Sequence, residues 1–401
     1  MSKTFIPIIY KAADGGGETT TWSRPTEWLA QPDYSSTDNE MDLLFFVGEN
    51  YPNDLAFSVT TDSGDYQVDW GDGVIDTVSS GSVAEHQYNY TDIPSATQLD
   101  NGQRQVMIKV TATNNFTGVD FDKQPSTDPK TNWTSDIIEI NMVGSQISSL
   151  NLRNKKTTKL INFNFQGTNL LTSAYELFQS LTDFRNLQSL DTSSVTDMRN
   201  MFRDCYSLTT IPQLDTSSVT DMEYMLYYCY SLTTIPQLDT SSVTEMYQTF
   251  RSCFSLTTIP QLDTSSVNRM RDMFQYCYSL ITIPQLNTSS VTDMNSMFGY
   301  CHSLTTISQL DTSSVTDMYV TFNSCYSISE VNFINFGLGE DSFRLVDTNL
   351  TRDRLVNVFN DLPDRSAETE GTLSITGTYG TGDLTAADIQ IATDKNWSIV
   401  T

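Results

Sequence analysis

The residues with the most chemistry to offer are six cysteines, and Cys205, Cys229, Cys253, Cys277, Cys301 and Cys325 stand at a constant interval of 24. A disulfide framework staples loops through varied spacings, whereas a constant interval is a repeat period. The thiols are therefore expected to be small buried side chains in a ladder. Strands stack at ~4.8 Å, but the parallel Cβ directions oppose bridging. Asp191, Asp215, Asp239, Asp263 and Asp311 share the same period and belong to its turns and caps. With only two histidines, His86 and His302, and no phosphate-binding loop, zinc spacing or nucleophile elbow, catalysis has no machinery. The expectation is a protein that is not an enzyme, with no catalytic residues, no cofactor and no metal.

The element that must position these residues is a sentence of 24 residues written six times between Ser189 and Ser327, most clearly as LDTSSVTDMEYMLYYCYSLTTIPQ from Leu214 to Gln237. Such a period is the signature of a solenoid, whose units bury their apolar faces against one another. Val195, Met198, Met201, Phe202 and Cys205 recur at steps of three and four, which predicts a short amphipathic helix in each copy. Ser194 with Asp197 three later predicts a capping box, repeated as Ser218/Asp221, Ser242/Glu245, Ser290/Asp293 and Ser314/Asp317. Ser266/Arg269 breaks it, so that helix is expected to fray first. A strand, Leu208 to Ile211, follows the cysteine and is ended by Pro212. Leu171, Ala174, Leu177, Phe178, Leu181, Phe184, Leu187 and Leu190 repeat the apolar positions in degenerate form and mark an opening repeat. The strands IIEINMV, SSLNL and KLINFNF, within 136–165, begin the stack before it.

Forty-nine acidic against twenty-two basic residues give a net charge of -27, a surface that repels phosphate backbones and anionic lipid heads. Nucleic-acid binding is not expected. No apolar run has the ~18 residues a membrane span needs, and the N-terminus lacks a secretory h-region. Residues 1–40 are polar and broken by glycine and proline, with Trp22 and Trp28 as large anchors. They are expected to form a tail or an arm that orders on a partner, the tryptophans favouring the arm.

From Asp42 the texture is β: LLFFV, DLAFSVTT, DYQVDWGDG, AEHQYNY and RQVMIKVTAT, separated by turn residues, predict a β-sandwich. Val68-Asp69-Trp70-Gly71-Asp72-Gly73, followed by Glu85-His86-Gln87-Tyr88 and Val106 to Val110, resembles a PKD-type immunoglobulin-like domain. That resemblance implies a spacer or presentation module with His86 packed structurally. Asp69, Asp72 and Asp76 offer calcium ligands without a spacing that supports them.

The repeat wording LDTSSVTDM, MF, CYSLTTIP closely resembles the BspA-like leucine-rich repeats of bacterial surface proteins, over Leu171 to Phe336. The ending LTAADIQIATDKNWSIVT, the N-terminal TTWSRPTEWLAQP and the WGDG segment resemble tail-associated or other virion surface proteins of bacteriophages. The fold class implied is α/β: an N-terminal docking arm (1–40), a PKD-like β-sandwich (41–135), a leucine-rich-repeat solenoid of strand-turn-helix units (136–345) and an α/β C-terminal cap (346–401). The cap is predicted to hold a helix from Leu350 to Phe359 with Thr351 as its N-cap, a strand from Thr372 and a last helix from Ala386 to Lys395. The resemblances imply a virion protein folded in the host cytoplasm, a tail fibre contacting the host surface, with a capsid decoration protein or a bacterial adhesin as alternatives. Its partners would be other virion proteins through the arm and a host glycan or protein; a homo-oligomer is compatible.

The copies differ chiefly at four columns, those of residues 199, 200, 203 and 204. They lie opposite the apolar stripe, where freedom from packing or a ligand surface would each explain the variation. The aromatics there are Tyr224, Tyr227, Tyr228, Tyr247, Tyr276, Tyr300 and Tyr319. A second column, Tyr206, Tyr230, Phe254, Tyr278, His302 and Tyr326, suits stacking on sugars or, equally, closing the edge of the stack.

Overall fold

A computed structural model describes residues 23–31, 39–49, 53–123, 137–152, 159–337 and 342–401. Trp22 lies outside them. Strands β1 (Glu40–Val47), β2 (Asp54–Thr61), β3 (Tyr66–Asp69), β4 (Ile75–Val78), β5 (Val83–Gln87), β6 (Arg104–Ala112) and β7 (Phe116–Asp120) are followed by β8 (Ile137–Val143), β9 (Ser149–Asn151), β10 (Asn162–Gln166) and β11 (Asn186–Ser189). They form two sheets, ordered β11-β10-β8-β1-β6-β3-β4 and β5-β2-β7-β9. The sheets pack through Phe57, whose ring lies 5.8 Å from Trp70 and 5.7 Å from Phe121. Gly71, at φ +77, closes the turn where a Cβ would collide with the Met107 carbonyl; glycine alone tolerates both constraints.

The larger sheet crosses the boundary expected at residue 135. β8 pairs antiparallel with β1, β10 parallel with β8 and β11 parallel with β10, so the first rungs of the stack are strands of the sandwich. Of the three strands expected to open the stack, β9 instead joins the smaller sheet beside β7. The unbroken apolar run in β1 follows from burial on both faces. Met41, Leu43, Phe45 and Val47 enter the main core, while Leu44 and Phe46 face outward under Trp28.

The repeats differ from the expected strand-turn-helix unit. No helix forms between Leu171 and Phe336. The amides of Met198, Asn200, Phe202 and Asp204 donate to the carbonyls of Asp221, Glu223, Met225 and Tyr227 in the next coil, at 2.9–3.0 Å. The intervening amides of Met201, Arg203 and Cys205 donate three residues back, at 3.1–3.2 Å. Each copy is a run of overlapping turns, alternately bonded within the coil and across it. Helices need 8–10 Å between axes, whereas coils in this stack keep rings 4.5–5.8 Å apart; a helix in every coil would not fit. Burial steps of three and four do not distinguish the two conformations, and Val195, Met198, Met201, Phe202 and Cys205 are all fully buried.

In every coil but the last, where only Ser324 does so, the turns place two residues in the left-handed region, among them Asn200, Asp204, Tyr224, Tyr228, Ser296 and Tyr300, at φ 56–64. These are the variable columns at 200 and 204. Left-handed backbone costs a non-glycine residue roughly 1–2 kcal/mol. Ser296→Gly is therefore expected to raise stability by about 1 kcal/mol, and Ser296→Val to lower it, in thermal unfolding.

The expected strand after each cysteine forms only where proline is absent. Pro212, Pro236, Pro260 and Pro284 interrupt it, leaving one backbone bond per coil, as from Thr233 to Thr209 at 3.1 Å. Ser308 and Asn332 occupy the proline position in β12 (Thr306–Asp311) and β13 (Glu330–Ile334), which do pair. In the proline coils the glutamine side chain crosses instead: Gln213, Gln237 and Gln261 donate to the next coil's glutamine carbonyl at 2.6–2.7 Å.

Beyond the repeats, β14 (Ser342–Arg344), α1 (Arg352–Asp361), β15 (Gly371–Ser374), α2 (Ala386–Thr393) and β16 (Trp397–Val400) form a parallel β-α unit in the expected order. Thr351 precedes α1 without a side-chain cap bond, whereas Thr385 and Asp388 form a capping box on α2. Phe322, Phe333, Phe343 and Trp397 join its core to the last coil at 6.1–6.3 Å. Among the described residues no helix is long and apolar enough to cross a membrane.

Candidate recognition surface

The thiols do not belong to any reactive surface. All six are buried and free, and each donates to a carbonyl of the preceding coil, Cys205 to Phe178 at 3.0 Å and Cys277 to Phe250 at 3.1 Å. Burial pushes the Cys277 and Cys325 thiols up to about 12, far from the thiolate that reactivity needs. The ladder expected for them is present, with a hydrogen bond the spacing did not foretell.

The column of Asp191 makes turns. Asp215 Oδ1 accepts from the Ser217 amide at 3.1 Å and hydroxyl at 2.7 Å, and the unit repeats at Asp239, Asp263 and Asp311. With Gln213, Gln237 and Gln261, the aspartates Asp215, Asp239 and Asp263 line an open trough of about 950 Å³ that repeats its chemistry over these three coils. The column of Asp197 also makes turns, not capping boxes: Asp197 Oδ1 accepts from the Arg199 amide at 3.0 Å, and Asp221 from Glu223 at 2.9 Å. Arg269, expected to be a defect here, answers two acids, Glu223 at 3.4 Å and Glu245 at 3.7 Å.

The variable columns form a layer that packs on itself, which corrects the idea that they are free of packing. Four of the five arginines of the repeats, Arg199, Arg203, Arg251 and Arg271, lie in these columns, and Arg269 borders them from the column of Asp197. Arg203 and Arg251 sandwich Tyr227 at 5.1 and 5.7 Å, and Arg251 also reaches Tyr276 at 5.6 Å. Arg269 covers Tyr247 at 5.0 Å, and Arg344 covers Tyr319 at 4.5 Å. Tyr224 meets Tyr227 and Tyr247 edge-on, and Tyr276 stacks on Tyr300 at 4.7 Å. Tyr227 is buried; Tyr224, Tyr228, Tyr247, Tyr276, Tyr300 and Tyr319 are half-buried. Burial pushes the Tyr224 phenol up to about 12. The arginines carry the pattern and were visible in the same columns as the tyrosines.

The second column is a continuous stack. Tyr206, Tyr230, Phe254, Tyr278, His302 and Tyr326 lie 4.5–4.9 Å apart. Rings at that spacing leave no room between them, so the interior rungs close the edge of the stack and offer no face to a sugar. Desolvation lowers the His302 pKa.

In the sandwich, His86 is packed as expected, stacked on Trp70 at 4.9 Å with Nε2 2.7 Å from Asp72 Oδ2. Asp76 accepts from the Trp70 indole at 2.7 Å and Asp69 from the Gly71 amide at 2.9 Å, so the three offered calcium ligands hold the turn. Trp28, expected to anchor the arm on a partner, is buried on this chain's own sheet, edge-on to Phe46 at 6.1 Å.

Two sets of carboxylates give stability opposite pH dependences. Hydrogen bonds from Ser217, Ser241 and Ser265 lower the pKa of Asp215, Asp239 and Asp263, and the stability they confer is lost as pH falls through their folded values. Burial raises that of Asp221, Glu223, Glu245 and Asp293, whose contribution is present in the protonated form and lost as pH rises through theirs. The unfolding temperature is expected to peak on the mildly acidic side of neutrality, which a thermal melt series across pH would read.

Residues 171–280 and 228–336 match the model of a family described as "Mycoplasma protein of unknown function, DUF285". No curated protein matches the chain. Among solved structures, one of a leucine-rich repeat protein from Bacteroides ovatus aligns at 12% identity and a TM-score of 0.24, covering 72% of this chain and 96% of that one. The chain is a mostly β solenoid of repeats, and its coils from Leu171 to Phe336 are similar to that family.

Proposed function

We propose that the chain is a non-enzymatic surface-binding protein that meets its partner through the arginine–tyrosine layer of the coils. One observation carries this: six coils alike in their thiols and turns differ from one another in that layer. A specific partner needs a surface that does not repeat. Tyrosine and arginine are also the residue types that concentrate binding energy at interfaces. In the finer reading the protein sits on a bacteriophage virion, tail-associated and facing the host, with the residues up to Trp22 as the docking segment and the PKD-like sandwich as mount. Adsorption of purified protein to host cells tests it. Tyr247→Ala with Tyr276→Ala and Tyr300→Ala is expected to abolish adsorption while the protein stays folded, and unchanged adsorption would sink the proposal. Labelling of virions would separate the tail from the shell, where the decoration alternative places it.

A further inference from the structure

The aromatic column does not stop where the 24-residue period does. The Ser180 amide donates to the Arg203 carbonyl at 2.7 Å and the Asp204 amide to that of Tyr227 at 2.9 Å; the same bond recurs from Ser324 to Val346 at 3.1 Å and from Asp347 to Thr376 at 3.0 Å. Asp347 and Gly377 therefore occupy the left-handed position of two further coils, at φ 58 and 73. Thr348 and Thr378 follow in the place of the cysteine. The Thr378 hydroxyl donates to the Leu345 carbonyl of the coil before, as the Cys325 thiol does to Phe298. Next in line, where the rings stand, come Asn349 and Tyr379.

The column thus continues Tyr326, Asn349, Tyr379, with one rung missing. Its two flanking tyrosines are 54% and 71% exposed, unlike the half-buried interior rungs, and Asn349 is exposed between them. We infer that this gap is a binding slot for a single neutral pyranose ring, seated over Asn349 between Tyr326 and Tyr379. It lies at the end of the stack, apart from the arginine–tyrosine layer, and does not depend on the proposed role of that layer.

Thickness selects the ligand. Two coils at ~4.8 Å place the flanking residues about 10 Å apart. A planar ring in contact at ~3.5–4.0 Å on each face fills only about 7–8 Å of that, whereas a puckered saturated ring carries axial C–H bonds on both faces and is thicker. Those C–H bonds meet the electron-rich faces of the two phenols. The Asn349 amide offers two donors and an acceptor to ring hydroxyls. A chain of net charge -27 disfavours anionic sugars.

The test titrates chitotetraose and maltotetraose into the full chain, by saturation-transfer NMR and calorimetry. At least one is expected to bind, with saturation passing from aromatic protons to one sugar ring. Tyr326→Ala and Tyr379→Ala should each weaken binding about tenfold or more, a loss of ~1.4 kcal/mol. Asn349→Tyr, which supplies the missing rung, should abolish binding while leaving the unfolding temperature unchanged or higher. Failure of both oligosaccharides to bind, or binding that survives Asn349→Tyr, would overturn the assignment. So would p-cresol binding with the same variant pattern while neither sugar binds, which would make the slot a site for planar rings.

Discussion

Arg24→Ala is expected to destabilise the protein by about 3–5 kcal/mol, the penalty for leaving a buried carboxylate without its counter-charge. Glu139 is wholly buried on the outer face of β8. Its two oxygens take the Arg24 Nε at 2.8 and 3.1 Å, while Gln31 Nε2 at 2.8 Å and Asn162 Nδ2 at 2.5 Å complete its shell. The guanidinium also lies over the Trp28 ring at 5.4 Å, so the strap that residues 23–31 lay over Leu44, Phe46 and Ile138 loses its fastening together with the charge pair. The companion Glu139→Gln removes the charge and keeps the amide-sized shape. In the double variant most of the loss should therefore return, because two neutral groups have far less to desolvate. Denaturant titration of the four proteins reads the cycle. A penalty for Arg24→Ala below about 1 kcal/mol would place the strap among surface ion pairs that contribute little.

That pair is not legible in the sequence because it joins residues 115 apart, and nothing in IIEINMV names the partner of its glutamate. What repeats locally was legible: the period, the buried stripe, the thiol ladder and the opening repeat follow from spacing alone. The helix was not, because steps of three and four describe any backbone that turns once in about that distance, and the ~4.8 Å stacking that forbids a helix is a property of neighbouring coils. The fused sheet was half legible. LLFFV has no alternation, and an unbroken apolar strand implies cover on both faces, which the strap and the sandwich core supply. The tyrosines were found by their columns, but their availability was misjudged. Counting variation does not reveal that neighbouring variable residues pack on one another, as Arg203, Tyr227 and Arg251 do. Asn349 and Tyr379 escaped because the coil length changes there, and only the backbone bonds carry the register across.

Phe274→Ala should cost about 3–5 kcal/mol, whereas Phe274→Leu should cost less than about 1.5 kcal/mol. Phe274 is fully buried and stacked between Phe250 at 5.5 Å and Phe298 at 5.7 Å, both nearly parallel to it. Alanine opens a ring-sized void whose walls are fixed by backbone bonds to both neighbouring coils, so little collapse is available to relieve it. Leucine has a precedent in this chain: Leu226 holds the same position between Phe202 and Phe250, also fully buried. The damage should also be local, since each coil of a solenoid contacts only its neighbours. In hydrogen exchange, amides of the coils around Phe274 should lose protection in Phe274→Ala, while those of β1 and β6 keep theirs. Uniform loss across the chain would instead make the sandwich and the coils one cooperative unit, and the sheet they share through β8 is the feature that could impose it.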